Sequence, residues 1–117
     1  MQTLRANVEG IAASDCRSMT DVRREIDRID RSLVQMLASR LTYIERAGQI
    51  KTDRDAVRDE ERIRDVLAKV RVACAKEQFP FGIAEPVWRQ LMEGCIAHEF
   101  VVYDHDKMLP KKASSAD

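Results

Sequence analysis

The chain has 117 residues, of which 44% are hydrophobic and only 5% aromatic, with four glycines and three prolines. This length fits one domain, and long stretches without turn residues favour helices over a β-sandwich or barrel. The 20 basic and 20 acidic residues cancel, which excludes the basic surplus typical of nucleic-acid binders and polybasic membrane anchors.

Spacing along the chain excludes several further classes of protein. The three cysteines are odd in number and lack metal or redox spacing, which argues against a disulfide scaffold and predicts a reducing, cytoplasmic location. No run of about 18 apolar residues predicts a membrane span, and residues 1–18 lack the apolar segment of a secretory signal. His98 and His105 have no matching ligand set, and no glycine-rich phosphate loop is present, so neither metal nor cofactor is expected.

The first predicted element is a long amphipathic helix. Residues 1–18 are expected to be a flexible leader, and Thr20 or Asp21 is the predicted N-cap. Apolar residues then recur at helical spacing up to about Thr52, which gives a helix about 45 Å long. Its stripe consists of Val22, Ile26, Ile29, Leu33, Met36, Tyr43, Ala47 and Ile50, flanked by Leu37 and Ile44.

Two shorter helices are predicted to follow a polar loop over residues 52–58. Asp59 is the predicted N-cap of the second helix, which ends near Gln78. Pro86 suits the first turn of a third helix, whose inner side is lined by Val87, Trp88, Leu91, Cys95, Ile96 and Val102. The helical domain is therefore predicted over residues 19–106, with a flexible tail over 107–117.

This all-α pattern of one long and two shorter helices points to a dimer. A compact globule of this size has a radius of gyration of about 13–14 Å, so a 45 Å helix projects beyond it. Two shorter helices do not cover its whole apolar stripe, and we expect a second copy of the chain to do so. The alternatives are a different partner protein or a longer coiled-coil assembly.

Cations interrupt the stripe of the first helix. Arg40 lies seven residues from both Leu33 and Ala47, and Lys51 differs from Arg40 by only about 20° in direction around the helix. Two cations on one inward face need an anion, because burying an unpaired charge is expensive. They either bind an anionic ligand or, alternatively, reach water and neighbouring acidic residues.

Three more charged residues are candidates for the same site. Glu99 lies on the apolar side of the third helix, where it is either the partner of Arg40 or Lys51, or a carboxyl kept protonated by burial. Arg62 in the first turn of the second helix is either functional or a solvated arginine. Arg23 lies about 25 Å from Arg40 along the same helix, so it reaches a shared ligand only from the other subunit of an antiparallel dimer, and is otherwise an exposed arginine.

Over residues 22–103 the sequence resembles the AroQ class of chorismate mutases. The motifs are V-R-R-E-I-D-R-I-D over residues 22–30, L-A-S-R ending at Arg40, the pair Ile50-Lys51, and V-R-D-E-E-R ending at Arg62. The resemblance implies an intertwined helical homodimer with two shared sites. It implies catalysis of the rearrangement of chorismate, a small dianion, to prephenate, without metal or cofactor.

The resemblance also implies residue roles. Arg40 and Arg62 of one chain, with Arg23 of the other, would hold the carboxylates of chorismate. Lys51 and Glu99 would contact the ether oxygen, Glu99 standing where many members have glutamine. Asp59 would lie near the ring hydroxyl, and Cys95 takes a position that is often small and polar.

One departure keeps other functions open. Many members have a glutamate after the Arg62 position, and here it is Ile63; the related isochorismate-pyruvate lyases also have an apolar residue there. That lyase activity, or a mutase for 4-amino-4-deoxychorismate, is the enzymatic alternative. The non-enzymatic alternative is a helical dimerisation module whose buried charges fix register.

Overall fold

A computed structural model describes residues 10–110, and they form three α-helices without any strand. Helix α1 is Met19–Ile50, α2 is Glu60–Glu77 and α3 is Phe81–Met108. Short 3-10 helices occupy Ala13–Asp15 and Arg54–Ala56. The predicted all-α class and the three helices are confirmed, and α1 is the longest of them at 32 residues.

The chain divides into two units, the first ending at Arg40 and the second beginning at Leu41. Within the first unit, Ser18 caps α1, because its Oγ accepts a hydrogen bond from the Asp21 amide at 3.1 Å. The Asp21 carboxylate in turn accepts from the Arg17 amide at 2.9 Å. The predicted cap at Thr20 or Asp21 was wrong: Ser18 is the cap, and Asp21 lies in the first turn, where its side chain accepts from the amide of the residue before the cap.

The second unit has its core between α2 and α3. Val66, Leu67 and Met92 are buried there, and Ile63, Val70 and Trp88 pack against them. We call these six residues the α2–α3 core. Val87 is 55% exposed, so its predicted inward position was wrong. The buried side of α3 follows Ala84, Met92, Cys95, Glu99 and Tyr103, and Val87 lies about 100° from the neighbouring Trp88 around the helix.

The ends of α2 agree with the prediction. Asp59 caps the first turn with its side chain, which accepts from the Arg62 amide. Gln78 ends the helix in the left-handed region at φ 58°, and the Phe79 amide donates back to the Cys74 carbonyl at 2.9 Å. A residue of this backbone conformation closes many helices by satisfying their last carbonyls.

Helix α3 starts earlier than predicted. Pro80 precedes the first helical residue, Phe81, so that Pro86 is the sixth residue of the helix and not part of its first turn. Proline lacks the amide that would bond to the carbonyl four residues back, here that of Gly82, and α3 tolerates this loss near its start. At its other end α3 continues through Met108, two residues into the predicted tail. The parts of the predicted leader and tail that cover residues 1–9 and 111–117 lie outside the described residues.

None of the helices described over residues 10–110 is long and apolar enough to cross a membrane.

Candidate active site

The centre of the candidate site is an ion pair between the end of α1 and the middle of α3. Lys51 Nζ lies 2.7 Å from Glu99 Oε2. Glu99 is the one buried charged residue in the described part of the chain, with 4% of its surface exposed. The Lys51 side chain is 29% exposed. The predicted inward position of Glu99 is therefore confirmed. Lys51, one of its two predicted basic partners, contacts it directly.

The ion pair is partly accessible to water on the lysine side. A buried carboxylate without a partner is costly, and the ammonium of Lys51 removes that cost for Glu99. An ammonium group has three N–H donors, and Glu99 accepts one of them. The buried Glu99 carboxylate thus holds the Lys51 ammonium in place, and the other N–H groups of that ammonium can donate to a ligand.

Close packing brings α1 near to α3 at this point. Gly48 is buried one turn before Lys51, and a Cβ atom built there would lie 3.2 Å from the Glu99 carbonyl oxygen and from Val102 Cγ1. A residue with a side chain would hold the two backbones further apart. In the sequence Gly48 was visible only as an interruption of a helical pattern, so its part in the site was missed.

The loop between α1 and α2 is fixed to α3 by two arginines. Arg54 donates to both carboxylate oxygens of Asp104, at 2.8 and 3.1 Å, and its guanidinium lies 4.5 Å from the centre of the Phe100 ring. Arg58 makes a second two-pronged contact, with Glu93, at 3.0 and 2.8 Å. These pairs hold together the segment that connects Lys51 to Asp59.

The pKa values of the loop contacts follow from those hydrogen bonds. Arg54 lowers the pKa of the Asp104 carboxyl, and Arg58 lowers that of Glu93, chiefly by donating hydrogen bonds to the ionised form. The pKa of Arg58 is raised by Glu93 first and Glu60 second. All of these groups are at the surface, where water screens ion pairs, so the pairs add little to the free energy of unfolding. Their main effect is to hold the loop in its position.

On α2, the candidate residues have structural partners. The Asp59 carboxylate accepts from the Arg62 amide at 3.1 Å as the N-cap. The Arg62 guanidinium is 61% exposed and lies 2.6 Å from Asp65, whose pKa is lowered by Lys69 and, secondarily, by Arg62. In the single chain Arg62 is therefore a solvent-facing arginine that makes an ion pair within its own helix.

The two uncharged candidates lie on apolar surfaces. Ile63 packs in the α2–α3 core, which gives its apolar side chain a packing role whatever else it contacts. Cys95 is buried, four residues before Glu99 on the inner side of α3.

The remaining candidates belong to the first unit. Arg23 is exposed near the start of α1, and Arg40 is half-buried and engaged by a partner. The second unit thus brings Lys51 together with Glu99, and Asp59 together with the backbone of Arg62.

The family of the chain is established by comparison with known proteins. The family description "Chorismate mutase type II" matches residues 22–100. The chain belongs to this family and is an enzyme of the chorismate mutase fold, which confirms the resemblance found in the sequence motifs. It is also similar to the isochorismate pyruvate lyase of Pseudomonas aeruginosa, with 33% identity over 88 residues, or 73% of this chain and 84% of the relative.

Proposed function

We propose that the chain is a chorismate mutase, which rearranges chorismate to prephenate. The observation that carries the proposal is the Lys51–Glu99 pair, in which a buried carboxylate holds a partly accessible ammonium. Family membership supports the choice of an enolpyruvyl ether dianion as the substrate.

The chemistry of this reaction suits a site made of placed charges. In the [3,3] rearrangement the ether C–O bond breaks as a C–C bond forms, and no proton transfer or covalent enzyme intermediate is required. The protein has to hold the flexible substrate in its compact chair form, which is catalysis by orientation. It also has to stabilise negative charge that grows on the ether oxygen.

In our proposal, Lys51 donates to the ether oxygen and its neighbouring carboxylate. Glu99 orients Lys51 and, when protonated, donates to the same oxygen. Asp59, Cys95 and Ile63 would contact or border the ring, while Arg40 and Arg62 would bind the carboxylates. The positions of Arg40, Asp59 and Arg62 in the family motifs support their roles, whereas Ile63 and Cys95 lie outside those motifs.

We further propose that the working enzyme is a homodimer. The apolar side chains Ile26, Ile29, Leu33 and Leu37 of α1 are between 40% and 53% exposed in the single chain. Burying apolar surface is worth about 25 cal/mol per Å², which favours covering this stripe with a second copy. Arg23 of that copy would complete each site.

The first test removes the proposed donor. We expect Lys51→Ala to lower kcat by about 10²–10³-fold, because loss of one donor to a developing oxyanion typically costs about 3–4 kcal/mol. Steady-state kinetics with chorismate measure this, and circular dichroism establishes that the variant is folded. Lys76→Ala, which removes an exposed lysine from the last turn of α2, is the matched control. Near-wild-type turnover by folded Lys51→Ala would contradict the mechanism.

A lyase is the second candidate function, and two observations favour it. The similar protein from Pseudomonas aeruginosa is an isochorismate pyruvate lyase, and Ile63 is apolar where many mutases have glutamate. Incubation with chorismate and with isochorismate separates the candidates, since a mutase forms prephenate and a lyase releases pyruvate. The same assay with 4-amino-4-deoxychorismate tests the amino analogue. Absence of turnover with all three would favour a dimerisation module.

A further inference from the structure

The C-terminal end of α1 lacks the usual means of capping within its own sequence. Its last turn contains no basic residue, although a cation there would favour the helix dipole. Gln78 is the one residue with positive φ in the described part of the chain, so α1 has no left-handed cap residue. The Lys51 amide donates to the Ala47 carbonyl at 3.0 Å, and the carbonyls that follow need other partners.

Lys107 of α3 donates hydrogen bonds to two of these carbonyls. Its ammonium lies 3.0 Å from the Gln49 carbonyl oxygen and 3.4 Å from that of Gly48. The same ammonium is held by Asp106 at 3.0 Å and lies 4.6 Å from the centre of the Tyr103 ring. A cation at this place satisfies two of the final carbonyls and offsets the negative end of the helix dipole.

The contact is directly connected to the candidate site. Lys51 is the first residue after α1, so the end of that helix sets the starting point of its side chain. Helix α3 therefore makes two polar side-chain contacts with this region: Lys107 binds the backbone just before Lys51, and Glu99 binds the Lys51 ammonium. The two α3 residues are eight positions apart, or about 12 Å along the helix.

We propose that Lys107 is a positioning residue, which fixes the end of α1 so that the Lys51 ammonium stays aligned with Glu99 and with the substrate. This inference rests on the proposed function for its catalytic part. Its structural part, the capping of α1 by α3, is measurable without turnover.

Hydrogen exchange tests the structural part. In Lys107→Met the amide of Lys51 should exchange about tenfold faster than in the wild type, because the last turn of α1 frays when its carbonyls lose their donor. Amides in the middle of α2, such as that of Val70, should be unchanged. Lys107→Arg, which keeps the charge and the donors, should restore the protection. Unchanged exchange at Lys51 in Lys107→Met would overturn the proposal.

Kinetics test the catalytic part. We expect Lys107→Met to lower kcat about tenfold with KM changed less than about twofold, since a misplaced donor loses transition-state stabilisation more than ground-state binding. Lys107→Arg should recover most of the rate. Lys76→Met is the control for loss of one lysine charge at a helix end and should match the wild type.

A purely structural role for Lys107 predicts a different result. It would lower the melting temperature but leave kcat per folded molecule unchanged, and that outcome would overturn the catalytic part of the proposal. Binding of an oxabicyclic dicarboxylate that mimics the transition state gives an independent measure: Lys107→Met should weaken it in the wild type and have little effect in Lys51→Ala. If the wild type neither turns over a substrate nor binds this analogue, the proposed function itself fails, and the failure is seen without any Lys107 variant.

Discussion

At the scale of single residues, the role of Glu99 depends on whether its carboxyl group carries a proton. Its carboxylate lies 2.7 Å from the Lys51 ammonium, where as an ion it only accepts hydrogen bonds. To donate to the ether oxygen of a bound substrate, the carboxyl has to carry a proton. A glutamine, as in many members of the family, donates at any pH, so in our proposal the glutamate at this position is the source of a pH-dependent rate.

We expect the wild type to be relatively more active at mildly acidic pH, because a glutamate donates to the ether oxygen only in its protonated form. Glu99→Gln should lose this dependence. The measurement is kcat from pH 5 to 8 for both proteins. Glu85→Gln, which neutralises a surface glutamate paired with Arg89 on the same helix, is the control and should keep the wild-type profile. Two flat, identical profiles for wild type and Glu99→Gln would contradict the prediction.

The sequence was sufficient to predict some of these residue positions and not others. Periodicity placed Glu99 on the inner side of α3 because the apolar residues around it define that side. It left two basic partners open, since direction around a helix does not give distance to another helix. Lys107 was assigned to the tail, and its contacts could not be predicted. They are made to backbone carbonyls 58 and 59 residues away, and backbone acceptors leave no pattern in a sequence.

At the scale of secondary-structure elements, the separation of α1 from α3 depends on Gly48. Alanine in place of glycine favours a helix by up to about 1 kcal/mol. Here the added Cβ would lie 3.2 Å from a carbonyl oxygen of α3, and overpacking of this kind costs about 1–3 kcal/mol. The packing cost is the larger effect, since a helix carbonyl is held by its own hydrogen bond.

We therefore expect Gly48→Ala to lower the free energy of unfolding by about 1 kcal/mol and to reduce kcat, because α1 moves away from Glu99. Denaturant unfolding and steady-state kinetics measure the two effects. Gly94→Ala is the matched control: it is also a helical glycine, and no atom lies within 4 Å of an added Cβ. Helix propensity should then raise the stability of the control. Equal stabilisation of both variants would show that Gly48 does not set the spacing.

Helix bounds were predicted well where the chain carries its own stop or start residues. The two ends of α2 were predicted at Asp59 and near Gln78, because caps and turns depend on local sequence. The start of α3 was misplaced, since Pro80 and Pro86 both suit a helix start and only packing selects between them. Residue Ser18 was missed as the cap of α1 because Thr20 and Asp21 have equally suitable side chains.

At the scale of the whole molecule, two copies of the chain are proposed to share each site. A site that takes Lys51 from one chain and Arg23 from the other makes a specific prediction about mixtures. Two variants, each inactive alone through a different residue, give one intact site in every mixed dimer. The other site of that dimer carries both substitutions.

We expect an equimolar mixture of Arg23→Ala and Lys51→Ala, allowed to exchange subunits, to recover about a quarter of the wild-type activity, because half of the dimers are mixed and half of their sites are intact. The assay is turnover before and after subunit exchange. A mixture of Lys51→Ala and Glu99→Ala is the control, since both residues come from one chain and no intact site forms. Failure of the first mixture to exceed the control, with dimers verified by light scattering, would refute the shared site.

The two-pronged contacts of Arg54 and Arg58 with carboxylates of α3 also limit the length of the loop between α1 and α2. Glu93 and Asp104 are eleven residues apart, or about 16 Å along a helix. The four-residue step from Arg54 to Arg58 covers at most about 14 Å, so both side chains have to reach outward to their carboxylates. Surface connections normally tolerate inserted and deleted residues. We expect one residue more or fewer between Arg54 and Arg58 to break one of the two pairs, so that the helix beneath sets the length of this connection.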